Sequence, residues 1–203
     1  MKISSESTAY LWFDTEYTGL DIDDAALLQV ALVITDAQLK RIAPKEQDLS
    51  LFVRLPQDRK VSPWIEENMP DILNTCRSER ALDVGRVDEQ LFQYVTKTVT
   101  VPGGDDKKRP ILAGNSIHAD WFLARKFLPQ FMSLVHYRQL DVTALKLQWQ
   151  DWFKGEAFEK DKISLIREYF PEAVLPDDGK PHDAYYDVQA SIAELNFYRQ
   201  RLT

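Results

Sequence analysis

Apolar runs of strand length fill the first quarter of the chain. They predict strands over residues 9–14, at Leu27–Thr35 and over residues 38–42, and a further extended segment over residues 49–55. The run Leu27–Thr35 (LLQVALVIT) is the strongest of these, because it is rich in the β-branched residues that strands favour. Successive strands joined in this way predict an antiparallel meander.

Helical periodicity follows in the rest of the chain, where it alternates with two more strand-like segments. Ser62 followed by Pro63 is a helix-start pattern, with Ser62 as the N-cap. Apolar spacing predicts strands over residues 111–113 and 137–140, and helices over residues 85–99, 119–128, 145–153, 161–170 and 183–201. Strands first, then alternating strands and helices, predict an α/β or α+β fold built on a mixed sheet. Polar sites in such folds gather at the strand ends.

Composition narrows the class of protein without selecting one. The 203 residues suit a single domain over residues 1–203. The net charge of −7 argues against electrostatic capture of long duplex nucleic acid, but a short nucleic acid held by metals stays compatible with it. Cys76 is the only cysteine, which fits a reducing intracellular location, cytoplasmic or mitochondrial. No apolar run reaches ~18 residues, and residues 1–8 lack the apolar core of a secretory signal, so neither a membrane span nor a signal peptide is expected.

Two acids, Asp14 and Glu16, stand one residue apart where the first predicted strand meets a turn. Side chains at i and i+2 of a strand project from the same face, about 7 Å apart along the chain, so both carboxylates point the same way. Neighbouring carboxylates raise each other's pKa unless a cation joins them, and Mg²⁺ or Mn²⁺ suits oxygen-only ligands. The alternative is an exposed strand end with two solvated acids.

Two later acids and a histidine extend this candidate metal site. Asp120 follows a predicted strand and turn, and Asp187 lies in the first turns of the last predicted helix. Four acids from four places in the chain can meet above the sheet edge and hold two metal ions, which suits a phosphoryl displacement. His182 precedes Asp187 by five positions, and such positions do not share a helix face, so we expect His182 in the loop, reaching inward as a general base. The alternative for His182 is an exposed loop histidine.

The set Asp14-x-Glu16, Asp120 and His182-x4-Asp187 resembles the DEDDh exonucleases of the ribonuclease H-like fold, and within them the oligoribonucleases. The likeness covers residues 9–201, and its closest blocks are residues 112–120, 127–129, 136–143 and 187–199. It implies one exonuclease domain with an α/β, ribonuclease H-like mixed sheet, in which three antiparallel strands precede parallel ones and helices flank the sheet. It also implies two Mg²⁺ or Mn²⁺ ions held by the four acids, with His182 as the base.

The resemblance further implies an activity and a set of substrate contacts. The activity is 3′→5′ hydrolysis of short oligoribonucleotides, down to dinucleotides, to nucleoside 5′-monophosphates. The matching contact positions are Leu20, Trp64, Ser116, Tyr137, Arg138 and Thr143. Leu20 matches an apolar wedge between two bases, and Trp64 can stack on a base or, alternatively, anchor a helix start in the core.

A cap over the 5′ phosphate completes this implied site. Ser116, Arg138 and Thr143 match the cap positions, and the planar guanidinium of Arg138 suits a terminal phosphate. In the family, Tyr137, Arg138 and Thr143 reach the site from the partner subunit of a homodimer. From the residues alone, an arginine such as Arg138 is more often an ordinary surface residue, so this role rests on the resemblance.

The chain departs from the oligoribonuclease pattern outside the five catalytic positions. Thr15 and Tyr17 stand where that family usually has Leu and Met, and Asp183 replaces the usual Arg after the histidine. Residues 56–80 match poorly, and the loop over 101–110 is longer than usual. Two alternatives therefore stay open: a DEDDh exonuclease that trims longer single-stranded DNA or RNA, and a non-catalytic nucleic-acid-binding protein on the same fold.

Overall fold

A five-stranded sheet forms the centre of the computed structural model, which describes residues 8–101, 108–176 and 179–202. Its strands are β1 (Tyr10–Tyr17), β2 (Leu27–Thr35), β3 (Leu49–Phe52), β4 (Ile111–Gly114) and β5 (Gln139–Asp141). The helices of the described chain are α1 (Pro63–Asn68), α2 (Pro70–Cys76), α3 (Val84–Thr98), α4 (His118–Phe127), α5 (Pro129–Met132), α6 (Val142–Asp151), α7 (Ile163–Tyr169) and α8 (Ala184–Leu202). Most of the loop predicted over 101–110 lies outside the described residues.

The sheet is mixed, with the strand order β3-β2-β1-β4-β5. β1 pairs with β2 and β2 with β3 in antiparallel fashion, whereas β1 with β4 and β4 with β5 are parallel pairs. The α/β fold predicted from the family resemblance, with three antiparallel strands followed by parallel ones, is confirmed.

The predicted third strand over residues 38–42 is wrong. The Asp36 carboxylate accepts the backbone N–H groups of Gln38 and Lys40, each at 2.9 Å, and Leu39 has a φ of 65°. These bonds fold the segment into a turn, because a short polar side chain offers the backbone an alternative to ladder pairing. The third antiparallel strand is β3, which lies within the extended segment predicted over residues 49–55.

Helices cover both faces of the sheet, and the two-residue period of β1 decides which side chain meets which layer. Leu11 and Phe13 are buried with residues of α3, α4 and α5. Trp12 is buried on the other face, with residues of α7 and α8. Because alternate residues of a strand face opposite sides, Asp14 and Glu16 continue the Trp12 face, and Thr15 continues the Phe13 face.

No helix in the described part of the chain is both long enough and apolar enough to span a membrane.

Candidate active site

Asp14 and Glu16 lie near the end of β1, which runs to Tyr17 and so is longer than the predicted strand over residues 9–14. Asp187 lies in the first turn of α8, the helix that packs on the same face of the sheet. One carboxylate oxygen from each of Asp14, Glu16 and Asp187 lies within 4.8 Å of the other two. We call these three side chains the acid trio.

A buried glutamine holds the start of α8 next to β1. Gln29 of β2 is the cross-strand partner of Glu16 and is fully buried. Its side-chain oxygen accepts the N–H of Ala184 at 3.1 Å, and its amide nitrogen donates to Asp183 Oδ2 at 3.3 Å. Gln29 therefore fixes the first residues of α8 beside the strand that carries Glu16.

Asp183 caps the same helix end. Its Oδ1 accepts the N–H groups of Tyr185 and Tyr186 at 3.0 and 3.1 Å, which are donors that a helix start otherwise leaves unsatisfied. Just before it, the backbone N–H of His182 donates to Asp187 Oδ2 at 2.7 Å. The loop and the cap together orient the Asp187 carboxylate toward β1.

Asp120, the fourth predicted acid, lies outside the acid trio but lines the same cavity. It stands on α4, on the other face of the sheet, and its Oδ1 accepts both the N–H and the hydroxyl of Thr15, at 2.8 and 2.7 Å. The sequence pattern was not used to predict this role of Thr15. The strand period could have indicated it, because Thr15 faces the α4 layer while Asp14 and Glu16 face α8.

Burial and crowding raise the pKa of the acids. Burial, followed by the charges of Asp187 and Asp120, raises the pKa of Glu16 to about 8. Burial also raises the pKa of Asp120, to about 7, although the hydrogen bonds from Thr15 lower it. The pKa of Asp14 lies well above its usual value, first through burial and then through the neighbouring acids. The cavity therefore brings together more negative charge than its own donors stabilise.

Lys160 is paired with the acid trio. Its Nζ lies 3.0 Å from Asp187 Oδ1, and its side chain keeps 41% of its area exposed. Burial lowers the pKa of Lys160, but the Asp187 carboxylate and its hydrogen bond raise it more, so the net shift is upward. The sequence pattern did not predict this role of Lys160, because its charged loop segment carries no motif and it lies 27 residues before its partner.

His182 lies in the loop before α8, as its five-residue spacing from Asp187 predicts. The residue adopts a φ of 68°, and its exposed ring packs edge-on against Trp64, with the ring centroids 4.9 Å apart. His182 also lines the cavity that contains the acids. It is thus exposed, as the alternative prediction has it, and also close to the candidate metal ligands.

The cavity has a volume of about 780 Å³ and gathers half of the predicted substrate contacts. Leu20, Trp64 and Ser116 line it together with the acids. Leu20 is 91% exposed, and Trp64 is 47% exposed, so Trp64 is not a buried helix-start anchor. Both side chains are available to a ligand.

The other predicted contacts have different positions. Tyr137 and Arg138 are exposed and are not among the described residues that line the cavity, and the Arg138 guanidinium lies 5.5 Å from the centre of the Tyr137 ring. The hydroxyl of Thr143 accepts the N–H of Ser116 at 2.9 Å, so Thr143 reaches the rim of the cavity within its own chain. Within one chain, the structure therefore brings Thr143 to the site and leaves Tyr137 and Arg138 outside it.

A buried polar network lies behind Asn115 in the wall of the cavity. The sequence pattern did not predict this network. Glu194 is fully buried on α8 and accepts from Asn115 Nδ2 at 2.6 Å and from the Tyr198 hydroxyl at 2.7 Å. Lys146 Nζ lies 3.7 Å from Glu194. A glutamate inside the apolar run of α8 was the available signal, because a buried carboxylate needs donors or a cation.

Comparison with known proteins shows to which family the chain belongs. A family model described as Exonuclease (RNase_T) matches residues 11–195. The oligoribonuclease of Francisella tularensis subsp. tularensis (strain WY96-3418) is 31% identical over 195 residues, covering 95% of this chain and 94% of the relative. The mitochondrial oligoribonuclease of Bos taurus is 30% identical over 197 residues, covering 95% of this chain and 72% of the relative.

Among solved structures, the zinc-bound form of E. coli Exonuclease I in complex with single-stranded DNA is similar, with a TM-score of 0.64 at 15% identity. The similarity covers 97% of this chain and 41% of that chain, so this chain spans about two fifths of its length. At this identity the likeness shows the fold alone. The family match and the relatives extend over nearly the whole chain, and the chain therefore belongs to the exonuclease family and, within it, to the oligoribonucleases, a class of hydrolytic nucleases.

Proposed function

We propose that the protein is a 3′→5′ exoribonuclease that degrades short oligoribonucleotides, down to dinucleotides, to nucleoside 5′-monophosphates. The observation that carries the proposal is one cavity that contains the acid trio, Asp120 and His182, in a chain whose relatives are named oligoribonucleases. The volume of about 780 Å³ lies within the ~300–1,000 Å³ range of small-ligand sites, which supports a short substrate. We place the protein inside the cell, in the cytoplasm or in a mitochondrion, as the name of the bovine relative suggests.

The donor set of the cavity fits a hard divalent cation. The acid trio and Asp120 offer oxygen ligands only, and the described lining contains no cysteine and one histidine, so Mg²⁺ or Mn²⁺ suits it better than a softer metal. The raised pKa values of Asp14, Glu16 and Asp120 support the same view, because a cation would relieve the repulsion that contributes to them. Two such ions, when bound, stabilise the attacking and the leaving oxygens of a phosphoryl displacement.

The residues around this donor set have separate roles in the proposal. His182 accepts the proton of the attacking water, because it lines the cavity beside the acids and histidine is the side chain that most often serves as a general base. The Trp64 ring, edge-on to His182, restricts where the imidazole can move and stacks on a base. Leu20 separates the two bases, and Ser116 contacts the 5′ phosphate at the far rim.

We further propose a homodimer in which each protomer closes the cavity of the other with Tyr137 and Arg138. Both side chains are exposed and lie away from the cavity of their own chain. Trp152 is 75% exposed and its ring packs beside the exposed Phe153. Together these two side chains form an apolar surface of the kind that protein interfaces cover. A cap from a second chain excludes long substrates, which agrees with the acidic net charge.

End-labelled RNAs of two to twenty nucleotides test the activity in Mg²⁺ or Mn²⁺. We expect 3′→5′ release of nucleoside 5′-monophosphates, fastest on the dinucleotide. Asp14→Ala or Asp187→Ala should lower turnover by at least about 10³-fold, since metal-ion stabilisation amounts to several kcal/mol. Asp58→Ala, an exposed loop change, is the control and should keep wild-type activity. Faster cleavage of the twenty-mer would favour the trimming exonuclease, and full activity in both acid mutants would contradict the assignment.

His182→Ala tests the general base. The rate should fall by about 10²–10⁴-fold, the usual contribution of general acid–base catalysis, while calorimetric Mn²⁺ affinity stays near wild type. His118→Ala, another exposed histidine, is the matched control and should leave the rate unchanged. Loss of Mn²⁺ binding in His182→Ala would instead make His182 a ligand.

The stability of the metal-free protein should fall as the pH rises. Because the pKa of Glu16 is about 8 in the folded protein and near 4.5 when unfolded, the folded state binds more protons between these values. We expect the free energy of unfolding, from urea titrations in EDTA, to drop by on the order of 4 kcal/mol between pH 5 and 8.5. Glu16→Gln should make the drop smaller, with Asp14 and Asp120 still contributing to it, while exposed Glu168→Gln should leave the profile unchanged. Rising stability with pH in EDTA would disprove this account of the site.

Two inactive variants test whether Arg138 acts across the dimer. Asp120→Ala lacks a metal ligand and Arg138→Ala lacks the cap, and each alone should be impaired on dinucleotides. Re-annealing equal amounts should restore about a quarter of the wild-type sites, because half of the dimers are mixed and each mixed dimer holds one complete site. If the cap acts within its own chain, activity stays no higher than that of Arg138→Ala. A fully active monomer in sedimentation would also refute the proposal.

A further inference from the structure

Lys160 occupies a special position among the residues of the cavity. Of the described residues that line it, Lys160 is the only lysine or arginine. Its Nζ contacts Asp187, and the charges of Asp187, Asp14 and Glu194 all act on it. An ammonium group thus lies where the proposed function requires a divalent cation to be attracted.

The hydrogen bonds of Asp187 show why this matters for cation binding. Asp187 Oδ1 accepts from Lys160 at 3.0 Å, and Asp187 Oδ2 accepts the backbone N–H of His182 at 2.7 Å. Both oxygens therefore have a donor. The His182 donor is part of the main chain, next to the capped start of α8, whereas the Lys160 donor ends a long side chain that is 41% exposed. Of the two, Lys160 is the donor that can yield to a metal ion.

The main chain of Lys160 is fixed to the same helix. The Tyr186 hydroxyl donates to the Lys160 carbonyl oxygen at 2.7 Å, and Tyr186 is almost completely buried beside Asp187 on α8. The side chain can therefore leave Asp187 while its backbone stays in place, and it can return when the cation leaves.

We propose that Lys160 is a resident counter-ion of the acid trio: it pairs with Asp187 in the metal-free protein and competes with the divalent cation for that carboxylate. The inference rests on the proposed function, since it concerns the same metal ligands. Lys160 thereby lowers the affinity of the acid trio for the cation. Its ion pair with Asp187 also stabilises the folded protein when no metal is bound.

The test compares Lys160→Met with Lys162→Met. Lys162 is the matched control, because it lies two residues away, is exposed and pairs only with Glu159 among the ion pairs of the described chain. Mn²⁺ titration by calorimetry should show binding about 3- to 10-fold tighter in Lys160→Met, since removing a competing partly exposed charge is worth on the order of 1 kcal/mol. In EDTA the same variant should melt about 2–4 °C below wild type. Lys162→Met should change neither quantity.

Further variants distinguish a failure of the role proposed for Lys160 from a failure of the proposed function. Lys160→Arg retains the charge and should restore wild-type values, and Lys160→Gln replaces Lys160→Met if the methionine variant folds poorly. Unchanged or weaker Mn²⁺ binding in the neutral variants, or an unaltered metal-free melting temperature, overturns the role of Lys160. If wild type itself binds no Mn²⁺, or if Asp187→Asn binds it as well as wild type does, the proposed function fails instead.

Discussion

The burial of several carboxylates close together at the end of β1 is the constraint on which the rest of this structure depends. Burial alone raises the pKa of such groups, and their closeness raises it further. The fold offsets this with donors aimed at particular oxygens: the Thr15 backbone and hydroxyl at Asp120, the His182 N–H at Asp187, and the Lys160 ammonium at Asp187. Each donor stabilises the ionised form, which is the form that a metal ion needs.

The mixed sheet explains how acids so distant in sequence meet. β1 lies at the centre of the sheet, with an antiparallel neighbour on one side and a parallel neighbour on the other. Its alternating side chains reach both helix layers, so Asp14 and Glu16 meet Asp187 of α8, and Thr15 meets Asp120 of α4. At this strand end, both helix layers therefore contribute an acid to the same cavity.

Two of the positions where the chain departs from the oligoribonuclease pattern have structural roles around the acids. Thr15 stands where the family resemblance leads us to expect Leu, and its hydroxyl donates to Asp120, which a Leu side chain cannot do. Asp183 replaces a basic residue and caps α8, and the Gln29 amide binds its other oxygen. These departures change the hydrogen bonds around the predicted catalytic acids and leave the acids themselves in the cavity. They bear on metal affinity and helix stability more than on the type of reaction.

The sequence by itself determined the features that depend on neighbours in the chain. The largely apolar, β-branched run Leu27–Thr35 predicts β2, Ser62 before Pro63 predicts the start of α1, and the two-residue strand period puts Asp14 and Glu16 on one face. The Asp36 side chain turns residues 38–40 locally, but only the tertiary structure decided that Leu49–Phe52 becomes the third strand, because that depends on its pairing with β2. The same holds for Lys160 and Asp187, which are 27 residues apart. No local pattern encodes such a contact, because it depends on which elements the packed sheet brings side by side.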